Sequence, residues 1–571
     1  VRSRRQRQMC IRDRNNADTL ELKFYECEKK LRNRPFLKQP FGDQWEIYTW
    51  GEVGHLARKL AAGLKSLGLR DQAHIGLVSK NCREWIIADL AIMMAGYVSV
   101  PFFPTLKSNE IKNLLEFGEV DALFAGKLEN WEEMKIGVRN DMPVIAFPHY
   151  KEHSKISNAH QWNDFINDFQ PIEKPNVPKL DDIWTIIFTS GTTGTPKGVV
   201  IDYRAYDATK ILIEGSNVLK INLDGNNDFF SYLPLNHIAE RIVVEHTCFR
   251  YGGTMSFVES LDTFAKNLSD TQPSVFFAVP RIWTKFQMGI LGKIPQKKLN
   301  KLLRIPLISG FLKKKFKKSL GLSKARAIVS GAAPMMESQR VWFRDIDIHI
   351  TNGYGMTENL AICTQLDARE TRKPGSVGRA QDGVEISIDQ ENNEILMRGE
   401  FLMKGYFKAP EITAEVFKNG WLHTGDQGHI DEEGYLFITG RVKDNFKTTK
   451  GKYIEPLTIE NYFADIIEFE QICVTGMGIP QPICLAVLSE VGKTIDSSKL
   501  TQNLEKKLED INVKLDNYKK ISTLIVVKDE WSVENELVTP TLKIKRNKVD
   551  QKYQSNFEKW HKANESVLWE S

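Results

Sequence analysis

Apolar residues recur at helical spacing early in the chain, between Thr49 and Gly68. Thr49 stands where an N-cap is expected and Gly68 stands where a helix stops. The apolar positions between them are Val53, Leu56, Ala57, Leu60, Leu64 and Leu67. Because this spacing places them on one face, the pattern predicts an amphipathic helix that packs against a core.

Short apolar runs then alternate with longer helical patterns. The first such stretch comprises residues 75–78, 85–95, 98–103, 111–117 and 122–125, and strand-like runs resume at 229–233, 254–257, 275–279 and 327–330. This alternation is typical of parallel α/β architecture. Gly- and Pro-rich turns between short strands dominate residues 373–406, which predicts a β-rich module. A boundary is expected near residues 441–444, since a more charged, compact α+β pattern covers 452–560.

Length, charge and cysteine usage narrow the class of protein. The chain has 571 residues, enough for several domains, and its net charge of +5 does not favour a nucleic-acid partner. Its seven cysteines lack paired or metal-binding spacing, which is typical of reduced thiols in a cytoplasmic protein. No apolar stretch is long enough to cross a membrane. Residues 1–14, dense in arginine, are interpreted as a non-native or disordered tail.

A loop rich in glycines and hydroxyls joins two strand-like runs, residues 183–188 and 199–201. It reads Thr-Ser-Gly-Thr-Thr-Gly-Thr-Pro-Lys-Gly from Thr189 to Gly198. Glycines let the backbone approach an anion closely, hydroxyls donate hydrogen bonds, and Lys197 adds a positive charge. The Gly-Lys-Ser/Thr string and following helix of a Walker A loop are missing. The pattern therefore indicates ATP phosphates bound by a hairpin loop rather than by an ordinary P-loop.

This loop resembles the signature of the adenylate-forming, or AMP-binding, superfamily. Further motifs follow in that family's order at residues 330–334, 352–358, 424–426, 440–444 and 539–546. The resemblance implies an α/β fold. A large N-terminal domain of two α/β subdomains and a small β-barrel-like module precedes a small, mobile α+β domain. We expect the two domains at residues 15–440 and 441–571, with a hinge near Lys443.

The resemblance also implies roles for single residues around ATP. The phosphate loop would contribute Thr189, Ser190, Gly191, Thr192, Thr193 and Gly194, together with Lys197. Adenine would lie on Gly331, Ala332 and Ala333 and against Tyr354 and Gly355, with Thr357 near the α-phosphate. Asp426 and Arg441 would bind the ribose. Glu358, with Thr189, would hold Mg²⁺, a hard cation that prefers oxygen ligands.

The family's catalytic lysine usually follows a glycine near the C-terminus. Lys543 aligns with this lysine, but Leu542 stands in place of the glycine, a departure also found in long-chain members. The resemblance implies that Lys543 joins the carboxylate to the α-phosphate, where a cation offsets repulsion between two anions. Lys545 is the alternative assignment. Gly451 is expected in a loop that faces the site during thioester formation.

Three segments resemble the long-chain acyl-CoA synthetase branch: residues 231–241, 280–283 and 447–456. In this branch the position of His237 lies where the acyl and phosphate sites meet. We interpret His237 as a gate or orienting residue, because a carboxylate that is already ionised needs no base. The implied reaction uses ATP, Mg²⁺ and coenzyme A to activate a long-chain fatty acid through an acyl-adenylate.

Two alternatives stay open. An acyl-AMP ligase that loads a carrier protein would share every nucleotide motif. A catalytically silent protein that binds an acyl group or a nucleotide is the other alternative, although Lys197, Glu358, Asp426, Arg441 and Lys543 argue against it.

One segment has the composition of a membrane-contacting surface. Residues 292–324 contain eleven Lys or Arg and no acid, interleaved with leucine, isoleucine and phenylalanine. This pattern predicts peripheral contact with the inner face of an anionic membrane by an otherwise cytoplasmic protein. A solvated basic face and a site for coenzyme A phosphates are the alternatives.

Overall fold

The computed structural model describes residues 20–189, 196–215, 217–463, 466–539 and 543–570. Within these ranges one sheet has eight strands. They lie in the order Gly405–Tyr406, Lys197–Asp202, Ile183–Thr189, Val98–Phe102, His74–Ser79, Val120–Gly126, Val144–Ala146 and His160–Gln161. The six strands from Ile183–Thr189 to His160–Gln161 pair in parallel, as the alternation in the sequence predicts.

The predicted amphipathic helix spans Trp50–Ser66. Thr49 and Glu52 form a capping box, in which the amide of Glu52 donates to Thr49 Oγ1 at 3.2 Å and the amide of Thr49 donates to Glu52 Oε2 at 2.7 Å. The chain leaves the helix through Gly68, whose φ of +64° favours glycine. The predicted apolar face is buried at Val53, Ala57, Leu60 and Leu64, while Leu56 and Leu67 pack at its edge.

A second sheet has nine strands in the described ranges. Its order is Arg379–Ala380, Thr364–Leu366, Thr351–Tyr354, Ala327–Ser330, Val275–Ala278, Asp228–Ser231, Thr254–Phe257, Pro35–Phe41 and Gln44–Thr49. The strands from Thr351–Tyr354 to Pro35–Phe41 are parallel. Their carboxyl ends therefore open on one edge, where open α/β sheets bind ligands.

The predicted β-barrel-like module is an open sheet. Its strands are Glu385–Ile388, Glu394–Arg398, Trp421–Ile430, Phe417–Lys418 and Leu436–Arg441. The long strand Trp421–Ile430 pairs with Glu394–Arg398 on one side and with the two other neighbours on the other. The predicted β-rich module is present, but it does not close into a barrel, because within the described residues Glu385–Ile388 pairs only with Glu394–Arg398 and leaves the sheet edge open.

The C-terminal part has the expected α+β character. A short hairpin of Phe446–Lys447 and Tyr453–Ile454 precedes a sheet ordered Phe469–Thr475, Ile483–Leu488, Leu524–Val526 and Val567–Trp569. Helix Ser497–Val513 packs on one side through Leu500, Leu504 and Leu508. Helix Arg546–Lys562 packs through Val549, Tyr553 and Phe557 into a second cluster.

Helices surround these sheets. Those of the larger part are Leu20–Leu31, Arg83–Ala95, Ser108–Phe117, Trp131–Met134, Trp162–Asn167, Tyr203–Glu214, Ile238–Glu240, Thr247–Tyr251, Phe264–Thr271, Pro280–Lys293, Gln296–Leu303, Pro306–Ser319, Glu337–Asp345 and Pro410–Val416. The smaller part adds Pro456–Glu460 and Glu490–Lys493. Among the described residues, no helix combines the length and the apolar composition that crossing a membrane requires.

Candidate active site

A cavity of about 2210 Å³ opens where the ends of the parallel strands face the smaller C-terminal part. The larger part lines it with Thr189, Lys197, His237, Gly331, Ala332, Ala333, Tyr354, Gly355, Thr357, Glu358, Asp426 and Arg441. The smaller part, which starts after Arg441 because strand Leu436–Arg441 belongs to the open sheet of the larger part, lines it with Lys443 and Lys543. The structure thus brings most of the predicted site residues to one cavity, although they are dispersed over more than half of the sequence.

Asp426 is held on two sides. The hydroxyl of Tyr354 donates to Asp426 Oδ2 at 2.6 Å, and Arg441 Nε donates to Oδ1 at 2.9 Å. Asp426 and Arg441 are directly opposite each other on paired antiparallel strands, which sets this contact. Burial, together with the charge of Asp426, raises the pKa of Tyr354 well above its usual range, so its hydroxyl stays protonated and remains the donor.

The turn that presents Asp426 depends on residues that sequence reasoning missed. Glu394 Oε1 accepts the amide of Gly425 at 2.8 Å, and its other oxygen lies 2.8 Å from His423 Nδ1. Thr424 Oγ1 accepts the amide of Asp426 at 3.1 Å. Gly425 has a φ of +74°, which a side chain would strain. Glu394 lies on a neighbouring strand, so no local pattern marked it.

Glu358 contacts Tyr406 in the cavity wall. The hydroxyl of Tyr406 donates to Glu358 Oε1 at 2.8 Å, and Lys197 Nζ lies 4.9 Å from the centre of the Tyr406 ring. Tyr406 was also missed, because it reaches the site by pairing with Val199 at the edge of the eight-stranded sheet. Burial, the charge of Glu358 and this hydrogen bond raise the pKa of Tyr406.

The side chains of the cavity fit Mg²⁺ only if bound phosphates supply further oxygen ligands. Among the described residues, no three His, Cys, Asp or Glu side chains cluster in a way that would hold a metal. Glu358 supplies one carboxylate to the cavity, and Thr189 Oγ1 donates a long hydrogen bond of 3.4 Å to the carbonyl of Lys197. A single carboxylate suits Mg²⁺, which usually takes one or two carboxylates together with phosphate oxygens and water.

The predicted adenine platform follows directly after strand Ala327–Ser330. Gly331, Ala332 and Ala333 line the cavity, and Ala332 has a φ of +65°. The next strand, Thr351–Tyr354, ends at Tyr354, and Gly355 follows it. A side chain at Gly355 would approach the backbone carbonyl carbon of Ala361 to 2.2 Å, so the close turn requires glycine here. Small residues at both strand ends leave room for a flat ligand.

Lys543 enters the cavity from the smaller part. Lys543 has an accessible surface within the cavity, but protein groups surround its ammonium on the other sides and partly desolvate it. This crowding lowers its pKa, and the carboxylates of Asp426 and Glu358 act in the opposite direction. Lys543 therefore lies in the field of the groups expected to bind nucleotide and metal. The amide of Lys543 donates to Thr539 Oγ1 at 3.0 Å, which positions its backbone.

His237 caps a short helix. Its Nδ1 accepts the amide of Ala239 at 3.2 Å at the start of Ile238–Glu240. Burial and then the charge of Lys543 lower the pKa of His237 to about 4. The imidazole is therefore neutral at physiological pH and adds no positive charge beside Lys543. This state suits an orienting residue on the cavity wall.

Arg241, in the same motif, acts within the core. It is fully buried and donates to Asp89 Oδ2 at 2.6 Å, to Thr185 Oγ1 at 2.9 Å and to Glu245 Oε2 at 3.0 Å. Thr185 belongs to the eight-stranded sheet, whereas Arg241 follows a strand of the nine-stranded sheet. Arg241 therefore joins the two α/β subdomains and holds the helix that carries His237.

The remaining predicted site residues do not all line the cavity. Lys443 lies at the rim of the cavity in the turn after strand Leu436–Arg441. Gly451 has a φ of +76° in an exposed turn and is not among the residues that line the cavity. Ser190, Gly191, Thr192, Thr193 and Gly194 lie outside the described residues, as does Leu542. The strands that flank the phosphate loop form the predicted hairpin, with Thr189 opposite Lys197.

Comparison with solved structures shows the same fold. The anthranilate CoA ligase AuaEII in complex with anthranoyl-AMP matches with a TM-score of 0.77 at 20% identity, over 94% of this chain and 97% of that chain. The A domain of a carboxylic acid reductase from Segniliparus rugosus, in complex with AMP and a co-purified carboxylic acid, matches with a TM-score of 0.77 at 19% identity. That match covers 98% of this chain and 96% of the other.

Comparison of sequences defines the family. Residues 24–407 match the AMP-binding enzyme model, and residues 443–565 match the AMP-binding enzyme C-terminal domain. The chain therefore belongs to the AMP-binding enzyme family, which is adenylate-forming. Long chain acyl-CoA synthetase 5 of Arabidopsis thaliana is 27% identical over 92% of this chain and 88% of its own length. Long-chain-fatty-acid–CoA ligase ACSBG2 of Mus musculus is 26% identical over 94% of this chain and 92% of its own length. These relatives support acyl-CoA ligase activity in general.

Proposed function

We propose that the protein is an ATP-dependent long-chain fatty-acid–CoA ligase. The observation that carries this proposal is the meeting of two parts of the chain at one cavity. The larger part contributes the Tyr354–Asp426–Arg441 group and Glu358, and the smaller part contributes Lys543. A ribose site, a carboxylate for a cation and a mobile cation for the reacting oxygens are the elements that acyl adenylation needs.

The first step forms an acyl-adenylate. A carboxylate oxygen of the fatty acid attacks the α-phosphorus of ATP, the bond to the bridging oxygen breaks, and pyrophosphate leaves. Asp426 and Arg441 bind the ribose, while Lys197 balances phosphate charge. Lys543 lies between the two anions and stabilises the negative charge of the transition state. Glu358 and Thr189 would hold Mg²⁺, which supplies charge neutralisation to the phosphates.

The second step forms the thioester. The sulfur of coenzyme A attacks the acyl carbon, the bond from this carbon to AMP breaks, and the thiol proton passes to solvent. Lys543 has no role in this step. We infer that rotation near Lys443 removes Lys543 from the cavity and brings the turn at Gly451 toward it. No cysteine of the protein takes part. The described cysteines support this, since all but Cys27 are buried.

The long acyl chain is supported by the names of the relatives and by the motif that contains His237. The cavity wall beside His237 includes the apolar side chains of Ile238, Ile242 and Val243, which suit a hydrocarbon chain. Because each methylene contributes only about 0.8 kcal/mol, such a wall favours long chains over short ones gradually. We expect the reaction to take place in the cytoplasm.

The experiment is AMP release by the purified protein with ATP, Mg²⁺ and acids from acetate to oleate, with and without coenzyme A. AMP formation that depends on coenzyme A and is fastest with laurate or longer acids supports the proposal. Pyrophosphate release without coenzyme A dependence would indicate an acyl-AMP ligase. No turnover and no ATP–pyrophosphate exchange with any acid would leave a binding protein.

A further inference from the structure

Two consecutive helices of the basic segment meet at a corner, and the apolar side chains at this corner, its apolar tip, are exposed. Helix Gln296–Leu303 has its C-cap at Arg304, and helix Pro306–Ser319 starts two residues after this cap. At this corner Leu307 is 89% exposed, Phe311 is 65% exposed and Ile305 is 47% exposed, with Ile308 beside them. Exposed aliphatic and aromatic side chains that lie together on a surface mark a binding surface.

Helix Pro306–Ser319 has one buried side and one exposed side. Ser309, Leu312 and Phe316 are buried, and Leu312 and Phe316 belong to a core cluster of the larger part, so this side is already occupied. The outward side is formed by Leu307, Phe311, Lys314, Lys315 and Lys318, which are exposed and recur three or four residues apart. The outward stripe is therefore apolar at its first turns and basic at its last turns.

We propose that this corner, comprising Ile305, Leu307, Ile308, Phe311, Lys314, Lys315 and Lys318, docks the protein on an anionic phospholipid bilayer. The apolar tip inserts among the lipid headgroups, and the lysines contact the negatively charged surface. Apolar side chains beside a basic stripe are the arrangement of interfacial helices. Each Lys near an anionic leaflet adds attraction that is lost over a Debye length.

The charge and the apolar side chains of this corner favour an anionic bilayer over a second copy of the chain or a nucleic acid. Residues 292–324 carry eleven cations and no acid, so two copies joined through this corner would bring like charges together. A nucleic acid would contact the lysines but would leave the apolar tip without a partner. The surface is separate from the proposed catalytic residues, because none of its seven residues lines the active-site cavity.

The test is flotation of the purified full chain with vesicles of phosphatidylcholine, alone or mixed with phosphatidylglycerol. We expect recovery with the anionic vesicles and little with the neutral ones. The triple variant K314Q/K315Q/K318Q should lower partitioning roughly tenfold or more, since three attractive charges are removed. The double variant L307S/F311S should lower it comparably while leaving the charges in place.

Matched controls separate this surface from general effects. K499Q/K506Q/K514Q removes three exposed lysines from the C-terminal part, and Leu261→Ser removes a leucine that is 83% exposed elsewhere. Both should bind as the unchanged protein does. The proposal is overturned if the unchanged protein fails to float with anionic vesicles, or if the corner variants float as well as the controls. Binding by nucleic acid or self-association that depends on these lysines, without flotation, would likewise overturn it. Equal thermal midpoints show that the variants are folded.

Discussion

The hydroxyl of Tyr354 donates to Asp426 at 2.6 Å, and this contact fixes one oxygen of the carboxylate. Arg441 fixes the other oxygen at 2.9 Å. Two hydrogen bonds to opposite oxygens restrict rotation of the carboxylate, and Asp426 itself lines the cavity. Tyr354 therefore has a positioning role in addition to its expected contact with adenine.

The first prediction concerns nucleotide binding. Asp426→Asn should raise KM for ATP by about 10- to 100-fold, because hydrogen bonds to a charged group contribute about 1.5–3 kcal/mol. Tyr354→Phe keeps the ring and loses only the hydroxyl, so it should raise KM by about 5-fold. Steady-state kinetics with ATP as the varied substrate measures both. A similar rise in KM for the fatty acid, with none for ATP, would contradict the assignment.

The second prediction separates the two reaction steps. Lys543→Gln should slow acyl-adenylate formation by about 10²- to 10³-fold, the loss found when one donor to a developing charge is removed. Thioester formation from supplied acyl-adenylate and coenzyme A should change by less than about 3-fold, because the role proposed for Lys543 is confined to the first step. ATP–pyrophosphate exchange measures the first step and release of AMP from acyl-adenylate measures the second.

Lys545→Gln is the matched control for this prediction, since Lys545 is the alternative assignment for the same role. It should leave both steps nearly unchanged. A loss of exchange in the Lys545 variant together with activity in the Lys543 variant would reverse the assignment. Equal losses in both steps for Lys543→Gln would show a general structural effect.

How far the sequence predicts the site depends on where each partner lies. The helix with its cap at Thr49 and the hairpin around the phosphate loop are local patterns, and both are confirmed. Tyr406 and Glu394 were missed because they meet Glu358 and Gly425 only after distant strands pair. The motif includes Arg241 but does not predict its contacts with Asp89 and Thr185, because these also form only after distant segments pack together.

The strand Pro35–Phe41 shows a second limit. Two prolines make it an unpromising strand by sequence, since proline cannot donate a ladder hydrogen bond. It nevertheless lies inside the nine-stranded sheet, because its parallel partner pairs only with Leu37 and Lys38 and avoids the prolines. Pairing of this kind depends on the three-dimensional register and cannot be read from composition.

The third prediction concerns contact between the two parts of the chain. Arg281, on helix Pro280–Lys293, forms an ion pair with Glu470 on strand Phe469–Thr475. Since both side chains are partly exposed, the pair contributes about 0.2–1 kcal/mol. Glu470→Arg should therefore slow ATP–pyrophosphate exchange by about 2- to 5-fold, because repulsion disfavours the arrangement that places Lys543 in the cavity.

The reciprocal variant makes this prediction specific. Arg281→Glu alone should slow exchange similarly, and the double variant should recover most of the rate, as a double-mutant cycle requires for a direct contact. Glu385→Arg, which breaks the exposed pair with Arg398 inside the open sheet, is the control and should have no effect on exchange. Additive losses in the double variant would show that the two residues act independently.

The fourth prediction concerns stability and pH. Burial raises the pKa of Glu240 from 4.5 to about 8 in the folded protein, although the amide of Tyr232 donates to it at 3.1 Å. Between these values the folded state keeps a proton that the unfolded state has released. The free energy of unfolding therefore receives a contribution from Glu240 that falls as pH rises from 4.5 to about 8, by at most about 1.4 kcal/mol per pH unit.

Glu240→Gln keeps the shape of the side chain and an oxygen that accepts from Tyr232, but it does not ionise. Thermal midpoints measured across this pH range should therefore decline less steeply in the variant than in the unchanged protein, with the largest difference at the alkaline end. Glu370→Gln is a suitable control, because the pair with Arg372 lowers the pKa of Glu370 to about 2 and places its titration below the range. Parallel curves for the Glu240 variant and the unchanged protein would show that Glu240 is already ionised when folded.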